Sequence, residues 1–216
     1  MIQNQSGLQV DKEHYNFLSY MDKERWSSVY CQIQEILNFS SNEILEIGVG
    51  TGVLGLILKN QLLNYASIDI DPELKPTYVG SVLEMPFNDE QFDVIGCFQV
   101  LEHLPYEFFR KALAEIFRVA KKGVVLSLPN AKPAWSVSIP IPKIGYFKRV
   151  INRPFWSPEE LVFNGEHYWE INAKRYLFDC VLNDILQESN NRGFLLKKEY
   201  RVWDKPYHHF FVFAKQ

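Results

Sequence analysis

The 216-residue chain has little of what marks secreted, membrane-spanning or nucleic-acid-binding proteins. Its three cysteines lie far apart without a CxxC pair, which argues against a disulfide framework or zinc site and predicts reduced, buried thiols. No run of about 18 apolar residues predicts a transmembrane helix, and Met1–Val10 lacks the pattern of a signal peptide. A net charge of −3 gives no global reason to expect nucleic acid or an anionic membrane as a partner. We therefore expect a cytoplasmic protein.

The composition is that of an ordinary globular protein, with 47% hydrophobic residues, and strand and helix signals alternate along the chain. The length suits a single domain over residues 1–216, with an N-terminal helical segment at 1–42. Repeated β–α order followed by a terminal hairpin predicts an α/β fold with a doubly wound, mostly parallel sheet. The predicted strands are 44–47, 65–70, 78–80, 92–98, 124–128, 194–202 and 208–214, and the predicted helices are 22–37, 53–62, 106–119 and 174–190.

A glycine-rich segment follows the first predicted strand and reads Glu46-Ile-Gly-Val-Gly-Thr-Gly52. Glycines at these spacings let the chain turn sharply and bring its backbone close to a ligand, and the next helix points free N–H groups at the same place. Because Gly50-x-Gly52-x-x-Gly55 also fits the dinucleotide pattern, the loop leaves an NAD-binding oxidoreductase open. Two features argue against that alternative. The glycine-rich segment comes after a full predicted helix, and the dinucleotide pattern has no role for an acid at the position of Glu46.

Five segments in order resemble the class I S-adenosylmethionine-dependent methyltransferases, a Rossmann-like family. Residues 46–52 resemble its motif I, and residues 67–71, 84–93, 99–103 and 117–130 resemble the family's segments at the second, fourth and fifth strands. The resemblance covers residues 43–130 and implies a seven-stranded sheet with an antiparallel last strand. It also implies S-adenosylmethionine as cofactor, with S-adenosylhomocysteine as its product.

The resemblance assigns the cofactor contacts residue by residue. Asp69 ends the second strand, where a carboxylate can accept both ribose hydroxyls, whereas Asp71 precedes Pro72 and is expected to cap a turn. Ser81 stands where the family often has an acid that binds the adenine amino group, so only a weaker hydrogen bond is expected there. The other expected contacts are Glu46, Gly48, Gly50 and Gly52 at the methionine end, and Ile70, Val82, Phe98 and Gln99 around the rest of the cofactor.

Methyl transfer from a sulfonium requires alignment and exclusion of water more than side-chain chemistry. A hydroxyl acceptor must lose its proton, and histidine is the usual base near neutral pH. His103 follows the fourth strand, and His167 lies on a loop beside acids and aromatics, so both are candidate catalytic bases. His208 and His209 are expected to be structural. No His, Asp or Glu cluster has metal-ligand spacing, so no metal is expected.

Residues 131–158 interrupt the β–α order and are interpreted as an insertion. They carry five cations and no acid, together with aromatics and prolines. We expect a mobile lid over an anionic acceptor of medium size, with Trp135, Arg149, Arg153 and Tyr168 as candidate contacts. A solvated face and a peripheral membrane contact are the alternatives, although the prolines argue against one long membrane-bound helix.

The sequence therefore predicts an enzyme that moves a methyl group from S-adenosylmethionine to a small-molecule, glycan or lipid-precursor acceptor. The resemblance and the histidines favour O-methylation over N- or C-methylation. A non-catalytic S-adenosylmethionine-binding module and an NAD-binding oxidoreductase stay open as alternatives.

Overall fold

The computed structural model describes residues 12–15, 20–61, 63–163 and 165–216. The predictions that concern Met1–Val10 and Leu62 lie outside this part of the chain. Within it, the helices and strands alternate largely as predicted. The helices are α1 Lys23–Leu37, α2 Val53–Asn60, α3 Phe109–Val119 and α4 Phe178–Asn191, and the strands are β1 Glu43–Ile47, β2 Asn64–Asp69, β3 Tyr78–Val79, β4 Phe92–Phe98, β5 Ala120–Pro129, β6 Ala134–Ile141, β7 Gly145–Asn152, β8 Phe194–Arg201 and β9 His208–Lys215.

Seven strands form one sheet in the order β3-β2-β1-β4-β5-β9-β8. Strands β1 to β5 are parallel, while β9 runs antiparallel to β5 and to β8. This confirms the predicted α/β fold, a mostly parallel seven-stranded sheet with an antiparallel last strand. The carboxyl ends of the parallel strands and the start of β9 therefore meet at one edge, where ligands bind in open α/β sheets.

Helices cover the two faces of this sheet because neighbouring strand residues point to opposite sides. In β1, Leu45 joins the cluster packed under α3 and α4, whereas Ile44 joins the cluster that also contains Ile36 of α1 and Leu58 of α2. The side chains of both β1 residues are buried. Burial on both faces explains why the central strands read as continuous apolar runs.

Helix α4 begins at Phe178, later than the predicted Lys174. The chain before it turns sharply instead, because Asn172 has a positive φ of 66° and its side chain accepts from the backbone N–H of Phe178 at 3.2 Å. An apolar periodicity does not reveal such a side-chain turn.

The predicted insertion folds as an antiparallel hairpin of β6 and β7, separate from the main sheet. The hairpin rests on the corner between β8 and β9, where the indole N–H of Trp203 donates to the carbonyl of Val137 at 3.1 Å and the Lys148 ammonium lies 4.4 Å from the Trp203 ring centroid. Arg201 holds the base of the hairpin by donating to the carbonyl of Lys132 at 2.6 Å and to the side chain of Asn152 at 2.8 Å. None of the helices in the described part of the chain combines the length and apolar character needed to cross a membrane.

Candidate functional site

The glycine loop turns off β1 in a conformation that favours glycine. Gly48, Gly50 and Gly52 have φ angles of 82°, 51° and 72°, in the left-handed region that other residues rarely adopt. A Cβ on Gly48 would also overlap the side chain of Val100 from the neighbouring β4 turn. The loop therefore brings bare backbone to the sheet edge directly before α2.

Asp69 links that loop to the end of β2. One carboxylate oxygen accepts from the N–H of Val49 at 2.7 Å, and the other accepts from the N–H of Asp71 at 2.9 Å. The N–H of Gly48 in turn donates to the carbonyl of Ile68 at 2.9 Å. Since each carboxylate oxygen has two acceptor sites, Asp69 keeps capacity for ligand hydroxyls while it fixes the loop.

A cavity of about 410 Å³ opens at this edge, which is a size typical of small-ligand sites. Its walls follow the strand order, from Ser81 and Val82 after β3 to Tyr207 and His208 at the start of β9. The cavity therefore runs along the sheet edge from β3 to β9.

Two histidines meet in the middle of the cavity. The rings of His103 and His167 have centroids 5.0 Å apart. His103 donates from Nδ1 to the carbonyl of Glu166 at 3.0 Å, since a carbonyl can only accept, and burial together with His167 lowers the pKa of His103 to about 4. His103 is therefore a neutral imidazole at neutral pH.

His167 belongs to a hydrogen-bonded chain with two further side chains. Its Nδ1 lies 2.9 Å from a carboxylate oxygen of Glu170, which also accepts from the hydroxyl of Tyr207 at 2.6 Å. Burial opposes protonation of His167, but the hydrogen bond to Glu170 and the charges of Glu102 and Glu170 outweigh it and raise the pKa of the imidazole. A carboxylate that orients a histidine in this way is a common support for a base.

Glu102 is buried beside the same histidines. Its side chain is fully buried, neither carboxyl oxygen has a hydrogen-bond partner, and burial raises the pKa of Glu102 to about 8. Ligand atoms of Glu102, His103 and His167 all lie within 4.8 Å of one another. Two imidazoles and a carboxylate form a donor set that suits a divalent transition metal. Spacing along the sequence did not reveal this cluster, because residues 64 positions apart converge here.

Arg25 reaches the other end of the cavity from the first turn of α1. Its guanidinium carbon lies 3.8 Å from the ring centroid of Tyr20, and its Nη1 is shielded from solvent without a hydrogen-bond partner. Ser28, one turn along the helix, bonds Nδ1 of His208 at 2.7 Å and so fixes α1 over the start of β9. A buried donor without a partner is costly, and an anionic ligand would remove that cost.

The sequence and the fold both match known proteins. A family described as a methyltransferase domain matches residues 45–128. The mitochondrial ubiquinone biosynthesis O-methyltransferase of Candida albicans is 29% identical over 79% of this chain and 51% of its own, and the Rickettsia bellii ubiquinone biosynthesis O-methyltransferase is 31% identical over 47% and 48%. The chain thus spans about half the length of these curated relatives.

Solved structures agree on the fold at low sequence identity. Magnesium protoporphyrin IX methyltransferase from Synechocystis, with bound S-adenosylmethionine, superposes with a TM-score of 0.54 at 14% identity, over 89% of this chain and 79% of that chain. An S-adenosylmethionine-dependent methyltransferase from Clostridium acetobutylicum superposes with a TM-score of 0.57 at 10% identity, over 94% and 95%. Residues 45–128 thus match a methyltransferase domain, and the fold is that of S-adenosylmethionine-dependent methyltransferases. This match disfavours the NAD-binding alternative.

The cavity brings together most of the residues predicted for the site. Asp71 also has the predicted capping role, since its side chain accepts from the N–H of Glu73 at 2.9 Å. Ser81 makes a local turn by accepting from the N–H of Leu83 at 3.2 Å. The predicted site residues that line the cavity are Gly48, Gly50, Asp69, Ile70, Ser81, Val82, Phe98, Gln99, His103 and His167.

Two predicted cofactor residues do not line the cavity. Glu46 is buried under α2, where its carboxyl accepts from the hydroxyl of Tyr65, and burial raises the pKa of Glu46 to about 8. Gly52 is the residue that begins α2, as its N-cap. Neither is among the residues of the cavity wall.

The structure places the predicted acceptor contacts outside the cavity. Trp135, Arg149 and Arg153 lie on or beside the hairpin, which rests on the Trp203 corner, and none of them lines the cavity. Tyr168 also lies outside it, since its ring stacks on Phe163 with centroids 4.4 Å apart. In this arrangement Arg201 and Trp203 hold the hairpin to the corner between β8 and β9, with these three side chains outside the cavity.

Sequence reasoning missed the residues that line the β9 end of the cavity. Arg25 and Tyr20 come from the N-terminal segment, and Tyr207 and His208 come from the last hairpin, so no spacing along the chain links them. His208 does have the structural bond expected of it, to Ser28, and burial lowers its pKa to about 3. Only the long-range packing of α1 on β9 shows that these side chains share one wall.

Proposed function

We propose that this protein transfers a methyl group from S-adenosylmethionine to a hydroxyl of a small-molecule acceptor. The observation that carries the proposal is the Asp69 carboxylate, fixed beside the glycine loop on the wall of a 410 Å³ cavity. An acceptor at the opposite end of that cavity would reach the histidine pair from the β9 side.

The residues at the β1 to β3 end of the cavity fit the cofactor. Asp69 is suited to both ribose hydroxyls, and the backbone of Gly48 and Gly50 leaves room for the methionine part. Ile70 and Val82 offer apolar surface for the adenine. When bound, S-adenosylmethionine supplies an activated methyl group on a sulfonium.

The curated relatives support oxygen as the methylated atom, since two of them are named ubiquinone biosynthesis O-methyltransferases. They share about half their length with this chain, so the acceptor itself is inferred from the cavity.

The first prediction concerns the cofactor. Asp69→Asn should weaken S-adenosylhomocysteine binding by about 1.5–3 kcal/mol, because a hydrogen bond to a charged acceptor is lost. Isothermal titration calorimetry measures the change, with Asp179→Asn on the exposed face of α4 as the matched control. Unchanged affinity in Asp69→Asn, or tight binding of NAD by the wild type, would contradict the proposed cofactor site.

We infer that His167 is the base that accepts the acceptor's hydroxyl proton. Glu170 holds the Nδ1 proton of His167, which leaves Nε2 as the basic nitrogen. Nε2 of His167 would accept the hydroxyl proton of the acceptor, and S-adenosylmethionine held by Asp69 and the glycine loop would supply the methyl group. His103, 5.0 Å away between ring centroids, stays neutral because its pKa is lowered to about 4.

The second prediction follows from this role. His167→Ala should lower kcat by about 10²–10⁴-fold and leave S-adenosylhomocysteine affinity unchanged. The matched control is His14→Ala, at the edge of the same cavity. If the wild-type rate is lost on dialysis against a chelator and restored by a divalent cation, the base assignment is wrong, and Glu102, His103 and His167 hold a cation instead.

We propose that the acceptor is anionic and that Arg25 binds its charged group. The Nη1 of Arg25, which is buried without a hydrogen-bond partner, supports this. Tyr20 and Tyr207 lie on the same wall and offer their rings and hydroxyl groups to the rest of the acceptor. We therefore keep the prediction that the acceptor is anionic, but we assign its recognition to Arg25 and not to Arg149 or Arg153.

The third prediction tests whether the anionic group that Arg25 binds belongs to the acceptor or to the cofactor. Two phenolic probes that differ in one carboxylate, 3,4-dihydroxybenzoate and catechol, are titrated into protein saturated with S-adenosylhomocysteine. The carboxylated probe should bind about ten-fold more tightly, as a charge-assisted hydrogen bond to a guanidinium predicts. Arg25→Gln should abolish that preference, whereas Arg175→Gln, an exposed cation, should keep it.

The competing source is the methionine carboxylate of the cofactor. If Arg25→Gln weakens S-adenosylhomocysteine binding and leaves the preference between the two probes intact, Arg25 belongs to the cofactor site and the anionic acceptor is refuted.

A further inference from the structure

The β6–β7 hairpin has one apolar face that the rest of the protein leaves uncovered. Because side chains alternate across a strand, the cross-strand pairs Trp135–Ile151, Ile139–Phe147 and Ile141–Gly145 all point to the same side. We call the side chains of Trp135, Ile139, Ile141, Phe147 and Ile151 the hairpin face. The opposite side carries Ser136, Ser138 and Lys148 and rests on the Trp203 corner.

The hairpin face is exposed to an extent that is unusual for large apolar side chains. Trp135 is 53% exposed, Ile139 52%, Phe147 46% and Ile151 44%. Ile144 at the tip of the hairpin is 82% exposed. A contiguous apolar patch of this kind marks an interaction surface, whereas apolar residues scattered singly over a surface do not.

The charges around the hairpin face are of one sign. Residues 131–158 contain five cations and no acid. Arg149 lies within the hairpin face itself, opposite Val137, and Lys143 stands at the tip. Among the residues that the structure describes, no ion pair includes Lys143, Arg149 or Arg153. The patch is therefore apolar and cationic together.

We propose that the hairpin face docks this protein on the surface of an anionic lipid membrane. Apolar side chains enter the headgroup boundary while Lys and Arg meet anionic lipids, which is how interfacial protein segments bind. A second copy of the chain fits less well, because a symmetric contact would place cations against cations. Nucleic acid would use the cations and leave the isoleucines without a role.

Because of where the hairpin lies in the fold, docking through the hairpin face would bring the cavity close to the lipid surface. Trp203, which anchors the hairpin, lies four residues before Tyr207, and Tyr207 lines the cavity at the start of β9. The hairpin therefore stands beside the acceptor end of the cavity. A docked protein would hold that end close to the lipid surface, where an acceptor with an apolar tail resides.

The test is vesicle co-sedimentation of the whole chain. Wild-type protein should bind vesicles of phosphatidylcholine with phosphatidylglycerol, and bind phosphatidylcholine alone much more weakly. The double variant Ile139→Ser with Phe147→Ser should weaken partitioning by about ten-fold or more, since two apolar side chains no longer leave water. Leu56→Ser, which removes a 72% exposed leucine from α2, is the matched control and should bind as the wild type does.

The melting temperature of each variant shows whether the fold is kept, and exposed positions should change it little. A charge variant, Lys143→Ser with Arg149→Ser, keeps the apolar side chains of the hairpin face and removes two cations. It should therefore remove the preference for phosphatidylglycerol. Absence of vesicle binding, or binding that the double variant leaves unchanged, overturns the proposal. Concentration-dependent dimers that the double variant dissolves, or binding to a DNA oligonucleotide in place of vesicles, would assign the hairpin face to another partner.

Discussion

The Asp69 carboxylate ties three segments together at the carboxyl edge of the sheet. It accepts from the N–H of Val49 in the glycine loop and from the N–H of Asp71 after β2, and so sets how the loop, β2 and the turn before β3 meet. The same loop carries three glycines with positive φ angles and packs Gly48 against Val100. An acid that holds the backbone in this way, and still faces the cavity, unites a structural role with the ligand-binding role that we propose for it.

The two ends of the cavity follow from the sheet order. Strands β1 to β3 supply the end with the glycine loop and Asp69, and β9 supplies the end with Tyr207 and His208. Helix α1 closes the second end because Ser28 bonds His208, which brings Arg25 to the wall. The histidine pair stands between them, so a methyl donor on one side and an acceptor on the other would meet beside the imidazoles.

The fold and the glycine-loop end of the cavity could be predicted because their signals are local. Glycine spacing, an acid after an apolar strand and alternating β–α order each depend on neighbours in the chain, and Gly48, Gly50 and Asp69 line the cavity as those rules predict. The β9 end could not be predicted, because Tyr20, Arg25, Tyr207 and His208 meet only through long-range packing. The insertion was misread for a related reason: its cations indicated a ligand nearby, but the bonds of Arg201 and Trp203 to the hairpin decide which way it faces.

The most direct test of the account is a crystal structure of the protein with S-adenosylhomocysteine. It should show both ribose hydroxyls within hydrogen-bonding distance of Asp69, the adenine beside Ile70 and Val82, and the sulfur facing His103 and His167. A nucleoside bound at the Arg25 and Tyr207 end, or a ligand outside the cavity with Asp69 bonded only to Val49 and Asp71, would contradict it.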